Sequence, residues 1–287
     1  MTETKDLKRF WNTYKERRLG LIGLAILLFF IVMAVFAPYI APYDPHELYK
    51  PMEQPGSDHL LGTNDIGQDI LSELIYGARV SLFIAFFVSV VSGIIGTALG
   101  LLSGYFEMFG FFLMRIVDAF LAIPRLPLII VIAAFMRPSI WNLIFIFIIL
   151  GWPITTRIIR SEVLSLRKRN YVEAARMVGA PDIYILSKHI LPGVFPLLVV
   201  RLIIEASHVI IAESSLSFLG LGDPIAKSWG MILHYAFVYP TIFISDIWKW
   251  WMLPPGLCIV FTILSLTFIG YALEELINPR LRGVTRV

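Results

Sequence analysis

Four stretches of this chain are apolar, almost free of charge, and long enough to cross a lipid bilayer. A helix rising about 1.5 Å per residue needs roughly 20 apolar residues to traverse a hydrocarbon core about 30 Å thick. Leu19–Tyr43, Val80–Phe106, Pro138–Thr156 and Trp250–Leu273 meet that requirement. Each is bounded by charge: Arg18 and Asp44, Arg79 and Glu107, Arg137 and Arg157, Lys249 and Glu274. The composition agrees, with 57% apolar or aromatic and 16% charged residues, against about 45–50% and about 25% in soluble domains. So large an apolar surplus excludes most soluble enzymes and any disordered or fibrous class. A single cysteine, Cys258, excludes a disulfide framework and a cysteine-based metal site. The five histidines, His46, His59, His189, His208 and His234, include no i, i+4 pair with a carboxylate companion, so no metal site is expected.

Two further spans are interrupted. Gly110–Met136 carries Arg115, Asp118 and Arg125, and His189–Ala212 carries Arg201 and Glu205. A charge at mid-span costs a few kcal/mol, so these helices must face protein or water rather than lipid. The expected fold class is therefore all-α, a polytopic membrane protein of six helices. Basic residues set the expected orientation. They gather in the N-terminal tail (Lys5, Lys8, Arg9, Lys15, Arg17, Arg18), between spans four and five (Arg157, Arg160, Arg167, Lys168, Arg169, Arg176, Lys188) and in the C-terminal tail (Arg280, Arg282, Arg286). The stretch Ala41 to Arg79 instead has two basic residues against seven acidic ones. An even number of crossings then places both termini in the cytoplasm of a prokaryotic cell and the acidic stretch outside its inner membrane. The first span is too long for a signal-peptide core, and Pro38 follows the only small-residue cleavage position, Ala37, so it reads as a retained anchor.

The expected organisation is a cytoplasmic tail (1–20), a first transmembrane helix (21–40) and an external segment (41–79). A transmembrane domain (80–275) and a cytoplasmic tail (276–287) follow. The external segment opens with Pro42, Pro45, Pro51 and Pro55. It then shows Ile66, Ile70, Leu71, Leu74, Ile75 and Ala78 at helical spacing, an amphipathic helix that Asn64 or Asp65 can cap. A second external segment, 214–249, is rich in glycine and aromatics, and Trp248, Trp250 and Trp251 mark the re-entry interface.

The cytoplasmic loop, 157–188, is long enough for helices of its own. It contains Glu173-Ala174-Ala175, three residues, Gly179, nine residues, then His189-Ile190-Leu191-Pro192. Glu173 suits the positive N-terminal turn of a helix that starts near Tyr171, and the small alanines leave a surface another protein can approach. Gly179 fits the helix end, Pro181 forbids its continuation, and Leu191-Pro192 is expected to begin the next span. Nothing in this loop is reactive, so its chemistry is docking.

This spacing resembles the coupling motif of bacterial and archaeal ABC importer permeases. His189 stands where the general pattern has isoleucine, and His-Ile-Leu-Pro looks like the dipeptide and oligopeptide branch, as its C-type subunit. Leu61–Ser72 with Ile75–Arg79, and Glu213–Gly222 with Ser228-Trp229-Gly230, are similar to the same branch, as are Leu19–Gly23 and Ala41–Pro45. Gln68 stands where that branch more often shows arginine. The resemblance implies the fold of a binding-protein-dependent (type I) ABC importer permease. It also implies a heteromeric machine: a second, homologous permease subunit, two cytoplasmic ATPase subunits and an external substrate-binding protein, all serving di- and oligopeptide import. Tyr171, Glu173, Ala174, Ala175, Gly179, Pro181, Leu191 and Pro192 would then carry the coupling to an ATPase subunit. The chain itself would have no catalytic residue and bind no cofactor, ATP being used by its partners, and no nucleic acid. An oligosaccharide or nickel complex as cargo is the alternative within the family. An ion channel or intramembrane enzyme is the alternative outside it, but a channel needs no docking loop and no reactive groups converge at one depth.

Several smaller patterns leave two readings each. Arg201, Glu205 and His208 share one helix face by spacing. They are either a pathway lining that meets the charged ends of a peptide or, the favoured reading, an Arg–Glu pair that lets a charged helix pack. Arg115 and Asp118 invite the same pairing argument. Gly93, Gly96 and Gly100 permit close helix approach, within the chain or to a second permease. Pro124, Pro127 and Pro153 are expected to kink their helices. Asp223–Ser228 ends like a phosphate loop, but Ala226 stands where glycine must precede the lysine and Leu221 where another glycine is needed, so the match fails.

Overall fold

The computed structural model describes residues 14–15 and 17–277. Lys5, Lys8, Arg9, Arg280, Arg282 and Arg286, which entered the orientation argument, lie outside the described residues. The apolar run after Arg17 forms α1 (Arg18–Val35), turns at Phe36, and restarts as the short α2 (Ala37–Ile40) with Pro38 in its first turn, where a missing N–H costs nothing.

The amphipathic pattern of the expected external helix proves to be the start of the second span. A single helix, α3 (Ile70–Tyr105), runs for 36 residues, about 54 Å at about 1.5 Å each. No proline interrupts it, and its one early glycine, Gly77, packs under Trp229 and Ile232. The cap is Asp69, whose carboxylate accepts from the Ser72 N–H at 2.8 Å. Asn64 instead builds the preceding turn, its side-chain oxygen accepting from the Ile66 and Gln68 N–H groups. The helix thus begins four residues later than a cap at Asp65 would have it and continues into the bilayer segment unbroken.

The third span is broken, not merely kinked. α4 (Glu107–Ala122) and α5 (Arg125–Phe135) meet at 82°. Pro124 supplies no N–H and holds Ile123 extended (ψ 131°), which ends α4. Pro127 falls in the first turn of α5, where a proline is tolerated, whereas Pro153 sits inside α6 (Ile140–Leu166). After α7 (Asn170–Met177) the chain re-enters helix at Asp182 and runs as α8 (Asp182–Phe218). The expected start of that span at Leu191-Pro192 is therefore nine residues too late. A π-helical turn, Ile185–Ile190, precedes Pro192. Its wider winding accommodates the proline's missing donor and its ring, so the helix passes through. α9 (Trp229–Val238), α10 (Trp248–Trp251) and α11 (Leu253–Ile277) complete the described residues. Five helices are long and apolar enough to span a membrane, six when α4 and α5 count as one bent span, in agreement with the expected six.

α3 and α6 form the centre. Along their seam Gly96, Gly100 and Gly104 face Thr155, Ile159 and Val163, where an added Cβ would meet another Cβ at 2.6–2.7 Å. All three expected small-residue positions are therefore used within the chain, Gly96 and Gly100 against α6 and Gly93 against Leu202 of α8. Around this seam Ile84, Val88, Ile129, Phe147, Val209 and Leu216 make the main core, with α1 and α11 packed outside.

Candidate functional site

The loop after α6 folds as its residue types dictate. Glu173 lies in the first turn of α7, and at its other end Gly179 adopts φ +82°. The Gly179 N–H donates to Arg176 O at 3.0 Å and the Ala180 N–H to Ala175 O at 3.1 Å. Together these bonds are a Schellman C-cap, and Pro181 follows it at once. One face of this loop is core: Val172, Ile185, Ile190 and Val194 are fully buried with Tyr105, Ile159 and Val163. His189 packs between the rings of Tyr171 and Tyr184. The other face is open, with Met177 83%, Val178 85% and Ile183 80% exposed beside the half-exposed Tyr171 and Tyr184. Glu173 and Ala174 are exposed as well, and Ala175 is half-buried.

The loop is tied to the end of α3. The Tyr105 hydroxyl donates to Asp182, the Arg176 guanidinium lies 5.6 Å from the Tyr105 ring centre, and Arg167 donates to the Tyr105 carbonyl at 2.9 Å. Of the expected coupling residues, Tyr171 through Pro181 share this unit. Leu191 and Pro192 lie beyond the π turn, inside α8.

The polar stripe on α8 is divided. Glu205, 1% exposed, accepts from Arg125 Nη2 at 2.6 Å, a partner 80 positions away in sequence. Arg201 Nη2 lies 3.7 Å from the other carboxylate oxygen, beyond hydrogen-bond range. His208 is exposed and takes no part. Asp118 likewise pairs with Arg157, not with Arg115, which lies over the Phe111 ring at 5.4 Å. In both places local spacing proposed the partner, and the fold supplies a nearer or different one.

Residues 96–283 match the family described as binding-protein-dependent transport system inner membrane component. Residues 7–61 match the N-terminal transmembrane domain of oligopeptide transport permease C. The chain belongs to this family. It is the transmembrane permease subunit of an ABC importer, a class that works with an ATPase and a substrate-binding protein. A putative peptide transport system permease protein of Brucella suis is 38% identical over 93% of this chain and 90% of its own length. The di/tripeptide transport system permease protein of Pseudomonas aeruginosa is 35% identical over 96% and 93%. The glutathione transport system permease protein of Pectobacterium atrosepticum is 34% identical over 96% and 92%.

The permease's remaining motif residues converge at the opposite end of α3. Lys227 donates to both Glu73 and Gln68, and Asn64 donates to Glu73 at 3.1 Å. His59 meets Asp69 at 2.9 Å, and Trp229 donates its indole N–H to Leu74 O at 3.0 Å. Ser217 donates to Glu213 at 2.7 Å and lies 3.3 Å from Ser228. The leader 61–79, the end of α8 and the Ser228-Trp229-Gly230 turn are thus one assembly. Lys227, which sequence reading met only as the tail of a failed phosphate loop, is its central cation. No spacing rule announces that role, because its partners lie 154 and 159 positions away.

Proposed function

We propose that this permease forms half the pathway of a peptide importer and receives an ATPase subunit on α7 and the turn that follows it. The observation that carries the reading is the two-sided loop: buried Val172 and Ile185 fix it, while Met177, Val178 and Ile183 stand in the open. Contiguous exposed apolar side chains rimmed by polar ones mark a protein interface. The loop's basic residues support its placement in the cytoplasm, with both termini on the same side and the 41–79 leader outside. Such a leader is the natural landing surface for the substrate-binding protein. Peptide as cargo is supported by the relatives, named as peptide, di/tripeptide and glutathione permeases. The chain's own role is mechanical, ATP being bound and hydrolysed by the partners and the second permease completing the pathway.

The test is a reconstituted transporter carrying Glu173→Lys or Gly179→Pro in this subunit. Uptake should fall while the assembled complex still forms, and ATP hydrolysis should cease to respond to loaded binding protein. Unaltered uptake with both variants would remove the coupling assignment. The ligand of the cognate binding protein decides the cargo: a peptide supports the reading, and a sugar or nickel complex overturns that part alone.

A further inference from the structure

The stripe on α8 holds one guanidinium too many. Arg125 satisfies Glu205 at 2.6 Å, which leaves Arg201 at 3.7 Å as a cation without a hydrogen-bonded counter-ion. Its Nε is buried with no partner, and its side chain is only 11% exposed. Two guanidinium groups thus share one carboxylate inside a span, and Arg201 holds the longer contact. A charge at that depth faces protein or water and is by default a candidate for a ligand route.

Arg201 opens onto such a space. It lines a cavity of about 500 Å³ with Glu162, Pro196 and Glu274, and a second cavity of about 380 Å³ adjoins it through Ile204 and Glu274. Ser207, His208 and Thr267 line the second. From Gly193 to Ile211 this face of α8 covers about 27 Å at about 1.5 Å per residue, close to the hydrocarbon thickness. His208, Glu274 and Tyr271 are exposed along it, and no described helix of this chain covers them. Glu274 and Tyr271 lie at the end of their span, but Arg201 and His208 lie within theirs and cannot rest against lipid tails, so the face borders water or the second permease.

We propose that this face of α8 lines the translocation pathway and that Arg201 is the transient counter-ion for a carboxylate of the cargo. The inference rests on the peptide-importer reading, because a peptide carries such a group at its C-terminus. A guanidinium stays charged at any working pH and offers paired donors that match a carboxylate. Glu205, held off at 3.7 Å by its contact with Arg125, partly neutralises Arg201 without occupying it. Binding is then favourable enough for entry and weak enough for exit, as conduction requires. Glu162 and Glu274, which line the same cavity, suit the cargo's ammonium group.

The test uses the complete transporter in proteoliposomes, with Cys258→Ser as background and Ile204→Cys as reporter. A sulfonate-bearing and a trimethylammonium-bearing methanethiosulfonate are compared. Both should modify Ile204→Cys. Arg201→Gln should shift their rate ratio about tenfold toward the cation, the effect expected of one charge some 6 Å away in a watery pathway. In the second arm the Vmax for a dipeptide with a free carboxylate should fall several-fold in Arg201→Gln and partly recover in Arg201→Lys. The KM for loaded binding protein should stay constant. Its amidated analogue, supplied at saturation of the binding protein, should move equally well with either protein. An unreactive Ile204→Cys, an unmoved rate ratio or an unchanged Vmax would overturn the proposal. Absence of any peptide uptake by the unaltered transporter would refute the peptide reading instead, while the labelling arm still reports whether α8 lines an aqueous route. Should Arg201→Gln fail to assemble, Arg201→Met replaces it as the neutral variant in both arms, and Ile204→Cys alone still reports whether the face is aqueous.

Discussion

Gly179 allows the coupling assignment to be tested by degree. Its φ of +82° belongs to the left-handed region, and a Cβ placed there would meet nothing within 4 Å. Substitution therefore costs conformation alone. An ordinary L-residue pays about 1–2 kcal/mol in that region, asparagine less, and a β-branched residue more. Proline cannot reach the angle at all, and it also deletes the Gly179 N–H bond to Arg176 O, for a cost of about 3 kcal/mol or more. Because about 1.4 kcal/mol is tenfold in an equilibrium constant, Gly179→Ala should lower the ratio of correctly turned to misturned loops by roughly that factor. Uptake per ATP hydrolysed in proteoliposomes should then rank wild type, Gly179→Asn, Gly179→Ala, Gly179→Val, Gly179→Pro. Thermal stability of the transmembrane bundle should hardly move, because Gly179 is exposed and peripheral. A Gly179→Pro protein that couples normally would refute the reasoning. So would a series in which side-chain size, not backbone preference, sets the order.

Other substitutions probe the bundle and its ends. Gly100→Ala places a Cβ 2.7 Å from Ile159 Cβ and 3.0 Å from Thr156 O, so α3 and α6 must separate. A loss of about 1–3 kcal/mol, read as a lower melting temperature in detergent, is expected, and an unchanged melt counts against the seam. Gly256→Ala, inside α11 with open space around it, is the clash-free control and should melt no lower than wild type. Lys227→Met strands the buried Glu73 carboxylate and should cost about 3–5 kcal/mol, whereas Lys227→Met with Glu73→Leu should regain most of it. Simple additivity of the two changes would dismiss the pair. Arg125→Gln and Glu205→Gln should each destabilise by a few kcal/mol and Arg201→Gln by distinctly less, since only the first two break the 2.6 Å contact. Equal losses would mean that Arg201 is Glu205's true partner.

What could be read from the chain in advance follows the range of each interaction. Span lengths and flanking charges are local, and they located the crossings. The α7 cap is local too: Gly179 and Pro181 announce it by residue type. The start of α3 was misplaced because an amphipathic external turn and a bilayer helix share the same 3.6-residue period, and only a breaker would have separated them. Pro124 was visible, but whether a proline kinks or breaks depends on what receives the freed groups, which is tertiary. The Arg125–Glu205 and Lys227–Glu73 pairs were invisible for a plainer reason. Their partners lie 80 and 154 positions apart, and nothing in either neighbourhood encodes the other.

These long-range pairs also explain how a movement at one end can reach the other. α3 is one unbroken helix of 36 residues. At one end Tyr105 is bonded to Asp182 and Arg167 and covered by Arg176, so the α7 unit cannot shift without carrying that end along. At the other, Glu73 is bonded to Lys227, and Trp229 to Leu74 and Ser81, so the leader and the α9 turn move with it. The seam with α6, closed to Cβ-clash distance at Gly96, Gly100 and Gly104, leaves no room for the two helices to slide by fractions of an ångström. A packed interface of this kind shifts as a body or not at all. Displacing the α7 unit should therefore rock α3 and α6 together and deliver the motion to the leader about 54 Å away. α8, joined to the same loop through a π turn ahead of Pro192, has the one irregular winding in that connection. Beyond that turn Leu202 of α8 packs against Gly93 of α3 as closely as the seam itself, so the pair should carry α8, and Arg201 with it.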